Sequence, residues 1–205
     1  MTSEPGIVGV ILAGGSARRM GGGDKCLLPV GGRPILARIA GRLAPQCGRL
    51  LLNANGDARR FADFGLEVVP DTAPGSAGPL AGLLAAFDRV AAAYPQASDI
   101  VTVPGDTPFI PADLVARLRE ARAGGGARIA CAASGGRTHP TAALWPVAIR
   151  EPLRLAFAEG ERRIGRFAAA QGLVEVEWPS PPDPFLNVNT PADLAAAEAV
   201  AANGE

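Results

Sequence analysis

Short apolar runs alternate along this chain with segments of helical periodicity, and this alternation restricts the fold more than any other feature. The runs end at Gly, Pro, Asn or Asp, as short buried strands do. Between them, apolar residues recur every three to four positions. The predicted strands are 7–12, 49–55, 66–70, 99–103, 127–133, 140–147 and 173–178, and the predicted helices are 34–44, 57–63, 79–93, 149–158, 162–171 and 191–202, with a further helix that has Asp113 in its first turn.

Strands that alternate with helices favour right-handed crossovers and a mostly parallel sheet with helices on both faces. The runs of Val, Ile and Leu fit strands that are buried on both sides. A chain of 205 residues is long enough for one well-buried domain, and no linker or internal repeat divides it. We therefore predict a single doubly wound, three-layer α/β domain over residues 1–205. In such a sheet, ligands bind beyond the carboxyl ends of the strands.

The composition indicates a cytoplasmic protein. Twenty basic residues balance twenty acidic ones, so no overall charge favours nucleic acid or a membrane surface as a partner. The N-terminus is acidic, and its apolar run is too short to span a bilayer. The three cysteines form no CxxC pair and are far apart, as expected in a reducing compartment.

The stretch "LAGGSARRMGGGDK" (12–25) follows the first predicted strand and begins a segment of about 20 residues without periodicity. Its glycines allow the backbone to approach a ligand and to turn N–H groups toward it. Arg18, Arg19 and Lys25 add three cations, and Lys25 is the only lysine in a chain whose other long cationic side chains are all arginine. This combination predicts a polyphosphate site; the alternative is a flexible surface turn.

Two common phosphate-binding motifs do not match this stretch. A P-loop requires GxxxxGK followed by Ser or Thr, whereas Lys25 follows Asp24 and precedes Cys26. A dinucleotide-binding fingerprint requires GxGxxG at the start of a helix directly after the strand, and the predicted helix begins some 20 residues later. The loop therefore belongs to another class of phosphate site.

Polar residues follow several of the other predicted strands. Asp106 comes after the fourth strand, where a carboxylate can bind Mg²⁺ together with water and substrate phosphate; capping the next helix is its alternative role. Asn187 and Asn189 precede a Thr-Pro helix start, and alternate residues of an extended segment face the same way. Both amides can thus reach one site, or serve as turn and cap residues.

Asn53 and Asp71 end two neighbouring strands and together suggest a pocket for a base or ribose. His139 is the only histidine, and without a second His or a Cys beside it we expect no metal there. A structural or substrate-contact role is expected for it rather than catalysis. The sequence contains no evident Ser/His/Asp or Cys/His arrangement for nucleophilic catalysis.

Taken in order, several motifs resemble those of the molybdenum cofactor guanylyltransferases, which belong to the nucleotidyltransferase superfamily. The resemblance covers nearly the whole chain, and it rests on "LAGGSARRMGGGDKCLLPVGGRP", "LLNAN", "PD…GPLAG", "VPGDTPFIP", "THPTAALW", "GERRIGRF" and "FLNVNTPADL". The opening block alone would indicate only the superfamily, which includes cytidylyltransferases and sugar-nucleotide enzymes. "LAGG" at 12–15, where cytosine-specific relatives resemble "LAAG", favours guanine.

The resemblance implies a Rossmann-like nucleotidyltransferase fold and a Mg²⁺-dependent transfer of GMP from GTP to the terminal phosphate of molybdopterin carrying molybdenum, with release of pyrophosphate. It also implies transient contact with other proteins of cofactor biosynthesis or with a recipient molybdoenzyme. By motif matching, the implied catalytic residues are Lys25, Arg19 and Asp106, with Asp106 as the metal ligand. The implied nucleotide contacts are Leu12, Ala13, Gly14, Gly15, Lys25, Asn53, Asp71 and Asp106, and the implied molybdopterin contacts are Arg19, Arg162, Arg163, Asn187 and Asn189.

Two other functions stay open from the sequence. One is a sibling nucleotidyltransferase that uses CTP or a sugar phosphate. The other is a nucleotide-binding protein without catalytic activity. A metal-dependent glycosyltransferase is disfavoured, because no DxD motif follows an apolar strand.

Overall fold

A computed structural model describes residues 4–14, 23–72 and 78–204 of the chain. Seven strands form one sheet in the order β5-β4-β1-β6-β8-β7-β9. Their bounds are β1 Glu4–Leu12, β4 Cys47–Asn53, β5 Glu67–Val69, β6 Asp99–Pro104, β7 Ile129–Ser134, β8 Arg137–Pro146 and β9 Leu173–Trp178. Strand β8 runs antiparallel to both of its neighbours, and the other pairs in the sheet are parallel. The sheet is therefore mostly parallel, as predicted.

In the described part of the chain, six α-helices cover the two faces of this sheet. They are α1 Ile35–Leu43, α2 Pro79–Ala93, α3 Leu114–Gly125, α4 Arg150–Ala158, α5 Ile164–Ala170 and α6 Pro191–Ala202. Helices α1, α3 and α6 contribute to one apolar core, and α2, α4 and α5 contribute to the other. Successive residues of β1 alternate between the cores, because neighbouring side chains of a strand point to opposite faces. The predicted three-layer α/β architecture is confirmed.

Two features of the fold differ from the sequence prediction. The short helix expected near 57–63 is a 3-10 helix, Ala58–Phe64. The described part of the segment expected to lack structure contains a 3-10 helix, Lys25–Leu27, and a small antiparallel pair, β2 Pro29–Val30 and β3 Arg33–Pro34.

Glycine pairs explain the antiparallel parts of the fold. Gly31 and Gly32 turn the chain between β2 and β3, and Gly135 and Gly136 turn it between β7 and β8. All four have positive φ, between 54° and 73°. Two-residue hairpin turns with positive φ at both positions match the twist of the flanking strands and favour glycine. The direction of β8 thus follows from the two glycines before it.

Within the described residues, no helix combines the length and the apolar character needed to cross a membrane.

Candidate active site

The candidate site is a cavity of about 240 Å³ at the carboxyl ends of β4, β1 and β6. Two backbone hydrogen bonds hold these strand ends together: Ala13 N–H donates to the Asn53 carbonyl at 2.8 Å, and Gly105 N–H donates to the Leu12 carbonyl at 2.9 Å. A Cβ on Gly105 would lie 2.9 Å from the Cβ of Ala13, so this close approach requires glycine. The described lining residues are Leu12, Ala13, Gly14, Lys25, Cys26, Asn53, Asp71, Gly78, Pro79, Pro104, Gly105, Asp106 and Thr141.

One wall of the cavity carries Asn53 and Asp71, which form a cluster with the neighbouring Asn55. The buried amide of Asn53 donates to one carboxylate oxygen of Asp71 at 2.9 Å and to the Val69 carbonyl at 3.0 Å. Asn55 donates to the other Asp71 oxygen at 2.9 Å and accepts from the Asp71 N–H at 2.8 Å. Two amides therefore orient the carboxylate, and each of its oxygens keeps further capacity to accept from a ligand.

Helix α2 begins against this wall and leaves no space for a side chain where it passes Asn53. A Cβ on Gly82 would lie 2.1 Å from Oδ1 and 2.8 Å from Cγ of Asn53. Gly78 precedes the helix with φ of 79°, and it also lines the cavity. The spacing between α2 and β4 therefore depends on glycine at position 82.

The opposite side of the cavity carries two further charged groups, Asp106 and Lys25. Burial raises the pKa of the Asp106 carboxyl above its ordinary value, and the charge of Lys25 opposes that shift. The Lys25 ammonium donates to Oδ1 of Asn189 at 2.5 Å. This side of the cavity thus holds a partly buried carboxylate whose ionised form would be stabilised by an added cation.

The segment that carries Asn187 and Asn189 is bound to the turn after β6. Val188 N–H donates to the Asp106 carbonyl at 2.8 Å, and the Thr107 hydroxyl donates to Oδ1 of Asn187 at 2.9 Å. Val188 is fully buried between the two asparagines, so both amides lie on the side of the Asp106 turn and Lys25. The structure therefore brings the two asparagines to the same place as Asp106.

A capping box fixes the end of that segment. Thr190 accepts from the Asp193 N–H at 3.2 Å, and the Asp193 carboxylate accepts from the N–H groups of Thr190 and Asn189. These hydrogen bonds lower the pKa of the exposed Asp193 carboxyl. The Thr-Pro helix start seen in the sequence is the beginning of α6.

The structure does not bring the side chain of Arg162 into the cavity. Its guanidinium donates to the carbonyls of Phe157 and Glu161 at 2.7 Å each and lies over the Phe157 ring. Arg163 is exposed on the same loop. The backbone of this loop does approach the cavity, since the Arg162 carbonyl oxygen would lie 3.5 Å from a Cβ on Gly78. Gly15 and Arg19, which were also predicted at the site, lie outside the described residues.

The described chain has no group of three His, Cys, Asp or Glu side chains that could hold a metal ion. A Mg²⁺ ion requires less, because it keeps several waters and takes one or two carboxylates together with substrate phosphates. Asp106 fits such a site, as its partly buried carboxylate would gain from a cation. Cys26 is unsuited to nucleophilic attack, since burial raises the pKa of its thiol to about 12.

Comparison with known proteins identifies the family of the chain. A family model described as "MobA-like NTP transferase domain" matches residues 9–175. The chain belongs to this family. It is 54% identical to a molybdenum cofactor guanylyltransferase of Bradyrhizobium sp. (strain ORS 278), an alignment that covers 96% of this chain and 93% of the relative. It is 52% identical to one from Rhodopseudomonas palustris (strain BisB5), over 98% and 97% of the two chains.

Solved structures have the same fold as this chain. A homologue of Mycobacterium tuberculosis Rv0371c, from Mycobacterium sp. strain JC1, superimposes with a TM-score of 0.77 at 26% identity over 98% of this chain and all of the other. Molybdopterin-guanine dinucleotide biosynthesis protein A from Archaeoglobus fulgidus does so with a TM-score of 0.73 at 22% identity, covering 96% and 99%. The fold class and the family expected from the sequence are both confirmed.

Sequence reasoning missed three polar residues around the cavity of this NTP transferase. Asn55 lies two residues after Asn53, and that spacing could have suggested a shared direction. Thr107 directly follows Asp106, but only the fold shows that its hydroxyl contacts Asn187. Arg60 contacts Asp24 across 36 residues, for which the sequence holds no local signal.

His139 belongs to a buried network and not to a catalytic triad. The Ser134 hydroxyl donates to the Asp183 carboxylate at 2.7 Å, so its contact with His139 Nε2, also 2.7 Å, requires the histidine to donate. The His139 ring stacks on Phe185 with centroids 4.8 Å apart. Because the serine proton is given to Asp183, His139 cannot act as its base. The geometry agrees with the structural alternative for this residue.

Replacing Gly82 by alanine tests the α2–Asn53 contact. An exposed Gly→Ala change in a helix usually adds about 0.5–1 kcal/mol of stability. Here the new methyl group must displace Asn53 from Asp71, and we expect nucleoside triphosphate binding to weaken about tenfold. Isothermal titration of the purified protein measures this. Gly41→Ala in α1 is the matched control, because its Cβ would meet only an arginine atom at 3.9 Å. Unchanged affinity for Gly82→Ala would contradict the contact.

The buried histidine predicts a specific loss of stability in acid. Burial lowers the pKa of His139, so the unfolded chain binds its proton first as the pH falls below about 6.5. The free energy of unfolding should therefore decrease more steeply toward pH 5 in the wild type than in His139→Phe, by at most about 1.4 kcal/mol per pH unit. Urea unfolding at pH 7.5, 6.5 and 5 measures both slopes. Parallel slopes would show that His139 does not contribute.

Proposed function

We propose that this protein transfers the GMP moiety of GTP to the terminal phosphate of molybdopterin that carries molybdenum. An oxygen of the acceptor phosphate forms a bond to the α-phosphorus of GTP. The bond between that phosphorus and the bridging oxygen breaks, and pyrophosphate leaves with the electron pair. The main support is the high identity, over nearly the full chain, to relatives named molybdenum cofactor guanylyltransferase.

The chemistry asks for positive charge rather than for a nucleophilic side chain. The attacking phosphate is already ionised, so the barrier comes largely from bringing two anions together in the right alignment. Lys25 supplies a compact cation at the cavity, and Gly14 begins the loop whose N–H groups would face the triphosphate. The reaction requires neither Cys26 nor His139 as a nucleophile or base. This agrees with the high pKa of the Cys26 thiol and with the hydrogen bond between His139 and Ser134.

The proposal includes Mg²⁺, with Asp106 as its protein ligand. When bound, the ion would neutralise charge on the triphosphate and on the departing pyrophosphate. Asp106 would hold the ion and, through its backbone carbonyl, keep Val188 and the two asparagines in place. Water and phosphate oxygens would complete the coordination, as is usual for this ion.

In this proposal, GTP and molybdopterin would bind at different ends of the cavity. Asn53 and Asp71 would hold the nucleoside, with Leu12, Ala13, Gly14 and Gly15 along the phosphates. Asn187, Asn189 and Arg19 would lie toward the molybdopterin. Of the two loop arginines we assign the molybdopterin contact to Arg163, because the guanidinium of Arg162 is occupied within its own turn. The unpaired cysteines support a cytoplasmic setting.

Pyrophosphate release with each nucleotide tests the proposal. With molybdenum-loaded molybdopterin and Mg²⁺, we expect turnover with GTP and little with CTP. Turnover with CTP but not GTP would replace the proposal with the sibling cytidylyltransferase. Binding of GTP without turnover in the presence of the loaded acceptor would indicate a nucleotide-binding protein without catalytic activity.

Removing the charge of Lys25 or of Asp106 should slow the reaction. We expect Lys25→Ala and Asp106→Asn each to lower kcat at least about tenfold, which corresponds to roughly 1.4 kcal/mol of barrier. Steady-state rates of pyrophosphate release measure this, with circular dichroism to confirm folding. Asp63→Asn is the control, because Asp63 is an exposed carboxylate away from the cavity. Near-normal rates in the folded variants would contradict these roles.

Lys25→Arg refines the same test. A guanidinium keeps the charge but is wider and planar, whereas a slim ammonium can sit between phosphates that must separate. We therefore expect this variant to be impaired as well, and full activity would show that charge alone is sufficient.

A further inference from the structure

Arg60 connects two parts of the chain that border the cavity from different sides. It lies in the 3-10 helix Ala58–Phe64, and its side chain reaches back to Asp24, the residue before Lys25. Its Nη2 donates to one carboxylate oxygen of Asp24 at 3.1 Å, and its Nε pairs with the other. The guanidinium thus forms one hydrogen bond to the carboxylate and a second, charge–charge contact in which Nε makes no hydrogen bond.

The remaining contacts of Arg60 are to the turn that follows β4. Its Nη1 donates to the Asp57 carbonyl at 2.8 Å, and its Nη2 also donates to the Asn55 carbonyl. Gly56 allows this approach: its φ is 85°, and a Cβ there would lie 2.9 Å from Nη1. The ring of Phe61 lies under the guanidinium at 4.6 Å. The side chain is thus held on several sides.

Through these contacts Arg60 connects the wall that carries Asp71 to the side of the cavity that carries Lys25. Asn55 binds Asp71 with its side chain and Arg60 with its carbonyl. Asp24 binds Arg60 with its side chain and leads directly into Lys25, whose ammonium contacts Asn189. The backbone of Lys25 is therefore fixed through Asp24, and its tip through Asn189.

The pairing also has an electrostatic consequence. Asp24 is a carboxylate next to the lysine that would meet the triphosphate, and its side chain is only 20% exposed. Unpaired, it would repel the phosphates or attract the ammonium of Lys25 away from them. The ion pair with Arg60 neutralises it in place.

We propose that Arg60 is a positioning residue for nucleotide binding, which fixes Asp24 and neutralises its charge so that Lys25 faces the triphosphate. This inference rests on the proposed function, since it assumes that Lys25 contacts GTP. The inference predicts an effect mainly on substrate binding. Among the described residues, the contacts of Arg60 include neither the side chain of Lys25 nor Asp106.

Arg60→Ala tests the proposal, with Arg59→Ala as the matched control. Arg59 is the neighbouring residue of the same helix; its side chain is 90% exposed and pairs only locally with Asp57. We expect Arg60→Ala to raise KM and the dissociation constant for GTP about tenfold, with a smaller change in kcat, and Arg59→Ala to change neither. Steady-state pyrophosphate release and equilibrium titration with GTP and Mg²⁺ give both quantities.

The double variant Asp24→Asn/Arg60→Ala separates this role from a general loss of structure. Removing the unpaired carboxylate should restore at least half of the lost binding free energy, which no loss of folding would do. If Arg60→Ala fails to fold, Arg60→Lys keeps a cation beside Asp24 but loses the guanidinium contacts with the Asn55 and Asp57 carbonyls, and a threefold or greater rise in KM is expected.

Unchanged GTP binding in Arg60→Ala, or no rescue by Asp24→Asn, would overturn the proposal. Failure of the proposed function has a different signature. In that case the wild-type protein would not turn over GTP, or Lys25→Ala would leave GTP binding unaffected, whatever the Arg60 variants do.

Discussion

The close approach of three strand ends is the constraint on which the candidate site depends. β4, β1 and β6 are neighbours in the sheet, and backbone hydrogen bonds continue past β1 to Asn53 on one side and Gly105 on the other. Because the strands are parallel, their carboxyl ends meet at one edge. Asn53 and Asp106, which are 53 residues apart in the sequence, therefore border a single cavity. A side chain at position 105 would separate the strands at the point where the site begins.

Around that edge, several polar side chains are held by a partner from another part of the chain. Asn53 and Asn55 orient Asp71, Thr107 orients Asn187, and Asn189 contacts Lys25. Such partners matter because a buried polar group without a hydrogen bond costs about 1–3 kcal/mol. The side chains are thus arranged before a ligand arrives, which reduces the ordering that binding would require.

The sequence was sufficient to predict the three layers, most helices and strands, and many of the residues that line the cavity. Apolar periodicity places β1, α2, β9 and α6 to within a few residues, and the rule that ligands bind beyond strand ends leads directly to Asn53, Asp71 and Asp106. Two kinds of feature were not predicted. The antiparallel direction of β8 has a local signal, the two glycines of the turn before it. The contacts of Arg60 with Asp24, 36 residues away, and of Arg162 with its own loop depend on side-chain packing that no spacing encodes.

The single lysine can now be understood from the way the chain uses its arginines. Arg60, Arg122 and Arg150 each pair with an aspartate, and the buried Arg38 donates to the carbonyl of Val30. In these contacts a planar guanidinium is held against a carboxylate or a carbonyl. Lys25 is used differently: its ammonium, on a flexible stem, donates to one amide oxygen and faces a cavity. In the proposed reaction Lys25 would contact phosphates that separate, and a flexible ammonium would follow them more easily than a planar guanidinium.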